Sequence, residues 1–148
     1  MNSLCFWEFF LNKSYETIQF GDTTANADRL GIIIAWLVSH QLTEANFEQE
    51  NALSISRLRL EDITGAEFFT TALHGDFGSA FLNQLGQDFV EDYFLGGTYD
   101  HDYNQVKAYT DDKRVLCNHV SLKISEAYRK FVESPSIGKK LAKVLRFL

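Results

Sequence analysis

The stretch D111-D-K-R-V-L-C-N-H-V-S-L-K-I-S-E-A-Y-R-K-F-V-E133 decides the fold. Leu116, Val120, Ile124, Ala127, Tyr128 and Phe131 recur at three- and four-residue spacing, which gathers them on one side of an α-helix. Asp111 and Asp112 stand at its amino end, where the helix dipole favours negative charge. Other segments carry the same period. Asp22, Thr23 and Thr24 are N-cap candidates for a helix running to about His40. Its Leu30, Ile32, Ile33, Ile34, Trp36, Leu37 and Val38 are apolar on nearly every side, as a central buried helix requires. A more amphipathic stretch follows from about Glu44 to Leu60, with Phe47, Ala52, Ile55 and Leu58 inward. Thr64 and Glu67 read as a capping box ahead of Phe68, Phe69 and Leu73. Phe81, Leu85, Phe89 and Tyr93 form another stripe, ended by Gly96-Gly97.

Pro135 is the one proline in 148 residues. Such scarcity suits helices, because an interior proline costs about 3 kcal/mol. Beyond it, Ile137, Leu141, Val144, Leu145 and Leu148 mark a short last helix, and residues 134–136 are the hinge before it. A hydrophobic content of 45% with 14% aromatic residues argues for a packed core and against disorder. The expectation is all-α: residues 1–148 as a single helical domain, a compact bundle of about six or seven helices.

Charge is divided along the chain. Residues 1–112 hold five Lys/Arg against eighteen Asp/Glu, whereas residues 113–148 hold nine against two, giving the net −6. An acidic body of this kind repels nucleic acid and anionic membrane and attracts a basic protein. The amino-terminal MNSLCFWEFFLNKSYE has no basic region ahead of its apolar residues and no small-residue cleavage site, so no signal peptide is expected. Ile32–Val38, the longest apolar run, falls far short of the ~20 residues of a membrane span. Cys5 and Cys117 match no metal spacing and read as packed thiols in a reducing, cytoplasmic setting.

The acidic residues Asp88, Glu91 and Asp92 share much of one helix face, and Asp100 and Asp102 follow the glycine pair. They are the expected charge of a partner-binding surface, with Tyr99 and Tyr103 as its aromatic anchors. His74, Asp76, His101 and Asp102, with His119, are the residues from which a zinc or iron site is conceivable. Neither H-G-D nor D-H-D matches the helical H-E-x-x-H pattern, so a metal-dependent enzyme is an alternative and no cofactor is expected. Gly75, Gly78, Gly96 and Gly97 lack the strand–loop–helix setting of a phosphate loop, and no G-x-S-x-G occurs. Lys139, Lys140, Lys143 and Arg146 lie opposite the apolar face of the last helix, which is expected to pack on its own core. Docking of that helix on a neighbouring copy, in an oligomeric accessory protein, is the further alternative.

Three stretches, A27-D-R-L-G-I-I-I-A-W36, I63-T-G-A-E-F-F69 and Q87-D-F-V-E-D-Y93 leading into Y99-D-H-D-Y103, resemble a family of small bacterial proteins known only as a domain of unknown function. The resemblance extends to Trp7 and Ala127-Tyr128-Arg129. Its motifs are apolar and capping residues, which specify a fold, and it brings no enzymatic residues. Where family members carry a histidine ahead of the glycine in the first stretch, this chain has Arg29. Small acidic chains of this type often serve as immunity proteins that neutralise a toxin from the same locus, an analogy of type. The functional expectation is therefore a non-enzymatic binding module that occludes a basic toxin domain through its acidic surface.

Overall fold

A computed structural model describes residues 13–18 and 24–134. Asp22, Thr23, Pro135, the expected last helix with its four basic residues, Trp7 and Cys5 lie outside the described residues. The chain divides into two compact units, Met1–Glu91 and Asp92–Leu148. In order, the elements of the first are β1 (Ser14–Thr17), α1 (Thr24–Ser39), α2 (Ala45–Glu50), α3 (Ala52–Arg59), α4 (Gly65–Thr71), β2 (Asp76–Gly78), a 3-10 turn at Ser79–Phe81, and α5 (Gln84–Tyr93), whose last two residues pass the boundary. The second holds α6 (Thr98–Lys107) and α7 (Lys113–Glu133). The protein is mainly helical, as expected, with one small antiparallel sheet among the described residues.

That sheet joins Ser14 to Gly78, Glu16 to Phe77 and Thr17 to Asp76, with an irregularity between Ser14 and Glu16. Strands this short give too little alternation to be read from sequence, and their pairing spans some sixty residues.

The core of the first unit is organised by glycine. α1 and α4 are the most extensively packed pair of helices, and they meet backbone to backbone at Gly31 and Gly65. A Cβ on Gly31 would lie 2.6 Å from the Gly65 carbonyl carbon and 2.8 Å from the Ala66 Cα. Around this crossing Leu30, Ile33, Ile34, Leu37, Val38, Phe68 and Phe69 are fully or nearly fully excluded from water. Each such side chain contributes roughly 1.5–3 kcal/mol of transfer free energy. α4 starts after Thr64, the N-cap of the expected box, with Glu67 bonded to the threonine hydroxyl. Thr64 Oγ1 accepts the Glu67 backbone N–H at 3.1 Å and donates to the Glu67 carboxylate at 3.2 Å.

The expected helix over 44–60 is two helices. Asn51, at φ −120° and ψ 27°, breaks it, and its backbone and side-chain amides both donate to the Phe47 carbonyl. Ile55 and Leu58 are buried as expected, whereas Ala52 is exposed and Phe47 half-buried. Leu53 and Leu60, one heptad apart in sequence, are 76% and 80% exposed. Phe81 likewise falls in the 3-10 turn, outside the helical stripe expected of it.

Helices α1 and α3 end in the same way. The Leu42 N–H reaches back to the Leu37 carbonyl and Gln41 to Val38; Asp62 reaches Arg57 and Glu61 reaches Leu58. These are Schellman ends, which place Gln41 and Glu61 at left-handed φ values of 59° and 60°.

In the second unit, Asp112 caps α7 by accepting the Arg114 and Val115 N–H groups at 2.9 and 3.2 Å. Leu116, Val120 and Ile124 are buried along it, while Ala127, Tyr128 and Phe131 are half-buried. Cys117 is exposed, against the expected packed thiol, because it lies about 100° around the helix from Leu116. No helix among the described residues is long and apolar enough to cross a membrane.

Gly31→Ala and Gly65→Ala should each lower stability by about 1–3 kcal/mol, because overpacking between two backbones outweighs the helix propensity gained. Denaturant titration of the double variant should show less than the sum, since the first methyl already forces the helices apart. Glu61→Gly should instead raise stability by about 0.5–1 kcal/mol, by relieving left-handed strain and removing a negative charge at a helix C-terminus.

Candidate functional site

The residues expected to form the partner surface fall into different settings. Asp88 and Glu91 lie on α5 in the first unit; Asp88 accepts from the Gln84 amide at 3.0 Å, and Glu91 pairs with Lys13 at 3.4 Å. Asp92, Asp100 and Asp102 belong to the second unit, with Asp92 and Asp100 exposed and Asp102 half-buried. Asp102 accepts the Tyr93 hydroxyl at 2.7 Å. Burial, then that bond and the charge of Asp102, hold the Tyr93 hydroxyl well above its ordinary pKa.

Tyr99 and Tyr103 are not surface anchors. Tyr99 is wholly buried and Tyr103 nearly so, and Tyr99 packs against Tyr93, Phe94 and Tyr103 with ring centroids 5.8–6.2 Å apart. Their i, i+4 spacing is that of a core stripe, and with Val106 they form the buried face of α6.

His74 and Asp76 belong to the first unit and His101 and Asp102 to the second. No group of three His, Cys, Asp or Glu residues among the described residues is gathered closely enough to hold a metal ion. His74 takes a left-handed φ of 54° in the turn after α4, and His119 meets the Tyr109 hydroxyl at 2.7 Å.

The first unit carries the surplus of negative charge. Its four Lys and Arg residues are all engaged: Lys13 with Glu91, Arg29 with Glu16, Arg57 with Asp62 at 2.8 Å and Arg59 with Glu48 at 3.9 Å. Eleven carboxylates stand among the described residues of this unit, and none is buried. Each exposed pair adds only about 0–1 kcal/mol to stability, so the pattern is a statement about field more than about folding.

Within this unit a groove of about 300 Å³ opens among α2, the turn after α4, and the β2–3-10 segment. Phe47, Ala72, Leu73, Ala80 and Phe81 give it an apolar lining, and Glu44, Glu50 and Asp76 give it three carboxylates. Two of these are held in place. Glu44 caps α2, its two oxygens accepting the Asn46 and Phe47 N–H groups at 2.9 Å. Asp76 accepts the Ser14 hydroxyl at 2.6 Å across the sheet. The walls are fixed by backbone: Glu44 donates to the Phe81 carbonyl at 2.8 Å and Asn83 to that of Leu42 at 2.9 Å. From sequence, Asp76 stands out only as a metal-ligand candidate, and Glu44 and Glu50 do not stand out at all.

Within the sheet, Tyr15 of β1 packs edge-on against Phe77 of β2 with centroids 5.3 Å apart. Its hydroxyl is buried without a hydrogen-bond partner among the described residues. Burial, with Glu91 and Asp88 adding their charge, pushes that hydroxyl up from the ordinary 10 to about 12.

A family model described as a domain of unknown function, DUF7832, matches residues 11–118. No curated protein matches the chain. No solved structure matches it either.

Tyr15→Phe should leave stability unchanged or raise it by up to about 1 kcal/mol at neutral pH, since it removes an unsatisfied hydroxyl. Above pH 10 the unfolded chain loses the tyrosine proton before the folded chain does, so wild-type stability should fall between pH 10 and about 12. Chemical denaturation across that range should show a shallower fall in the phenylalanine variant.

Proposed function

Because the chain belongs to the DUF7832 family, whose description assigns no role, we propose a function from its surface: a non-enzymatic binding module that captures a basic protein, as an immunity protein captures its toxin. One observation carries this reading. Every lysine and arginine of the first unit is engaged with a carboxylate, and exposed carboxylates remain in excess. Such a surface projects a negative potential that its own cations do not cancel. It steers a basic partner into encounter, raises the association rate and disfavours acidic competitors.

Asp88 contributes to this charge, as do the groove carboxylates. With Tyr99 and Tyr103 in the core, anchoring falls to groups that reach into the acidic unit from the partner. Neutralisation then proceeds by occlusion: the module covers a basic functional surface and holds it out of reach of its substrate.

A pull-down from the native organism, with this chain as bait and a salt step for elution, should recover one dominant basic protein. Its association rate should fall by about tenfold or more between low and physiological salt, as the Debye length shrinks toward ~8 Å. Absence of any enriched partner at low salt, or a partner bound equally well in high salt, would remove this reading.

A further inference from the structure

We infer that the groove formed by Glu44, Phe47, Glu50, Asp76 and Phe81 is an arginine socket, the point at which a basic partner inserts one exposed arginine. The inference rests on the basic-partner reading and gives it a location. Charge complementarity selects the occupant. Three carboxylates line the groove, and among the described residues no lysine or arginine lines it. The four basic residues of the unit are engaged elsewhere, with Glu91, Glu16, Asp62 and Glu48, so the unit's own cations are committed away from Glu44, Glu50 and Asp76.

Shape and lining select arginine over a small cation. Phe47, Leu73 and Phe81 offer an apolar wall suited to a long aliphatic stem, while the carboxylates meet the charged head. A guanidinium is planar, weakly hydrated and able to lie on an aromatic ring while its edges donate to carboxylates. A lysine ammonium, compact and strongly hydrated, gains less from such a wall.

The acceptors are also preorganised. Each Glu44 oxygen takes one backbone N–H and keeps a second lone pair for a ligand, and Asp76 is steadied by Ser14 in the same manner. Acceptors already held by the fold lose little freedom when a cation arrives. A second tie steadies the lining, because the Glu44 backbone N–H donates directly to the Phe81 carbonyl.

The test is an amide NMR titration of the full chain with N-acetylarginine methylamide, run beside the norleucine analogue as an apolar control. Saturable shifts at Phe47, Asp76, Gly78 and Ala80 with the arginine derivative alone support the socket. Glu50→Gln with Asp76→Asn should then weaken binding about tenfold while the remaining amide spectrum stays native. Should the pair disturb folding, the exposed Glu50→Gln alone should still weaken it by about threefold. Equal shifts with norleucine, unsaturable shifts spread over the carboxylates of the unit, or affinity unchanged in these variants would overturn it. If those failures accompanied a salt-released basic partner in the pull-down, the binding function would stand and the socket would fall. An intact titration without a captured partner would give the reverse.

Discussion

The approach of Gly31 to Gly65 is the constraint on which the first unit depends. Two helices whose main chains touch cannot slide or rotate without collision, so the crossing fixes α4 relative to α1. From α4 the chain runs directly through Ala72, Leu73 and Asp76 into the sheet. Those residues are lining groups of the groove, which makes its geometry a downstream result of two absent methyl groups. The apolar side chains packed around the crossing supply the driving force, while the glycines decide which arrangement that force can reach.

A second lock acts at the other wall. Thr43 pairs with Leu82, Glu44 with Phe81 and Asn83 with Leu42, so the loop after α1 and the segment before α5 are laced by main-chain bonds. Gly86 lets α5 come close to this loop, where a Cβ would lie 2.6 Å from the Leu42 carbonyl oxygen. Carboxylates carried on such a frame retain their positions without help from counterions. This matters for the proposed recognition of a basic partner, since mobile side chains pay an ordering cost when a cation arrives.

Much of the helical content was legible in the sequence because it rests on local rules. The stripe on α7, the Thr64–Glu67 cap and the apolar run of α1 each declare themselves within a few turns. What escaped was non-local or conformationally ambiguous. The β1–β2 pairing joins segments far apart in the chain. Asn51 breaks a pattern that periodicity alone carries straight through, because its side chain satisfies the same Phe47 carbonyl as its backbone. Tyr99 and Tyr103 were misread for a related reason: their acidic neighbours suggested surface, while their four-residue spacing specified core. Glu44 escaped as well, since a carboxylate that caps a helix looks from sequence like any other charge on an amphipathic stretch.

Leu53 on α3 and Leu60 just past its end leave two large apolar side chains in water. In a neutral protein such residues would draw copies together, yet here they sit on a unit whose carboxylates outnumber its cations. Mutual repulsion between copies offsets their stickiness, and that repulsion depends on ionisation. Protonation of carboxylates in strong acid removes that charge while leaving the leucines unchanged. Exposed apolar side chains and acidic charge thus share one unit, and the second offsets the first only while the carboxylates are ionised.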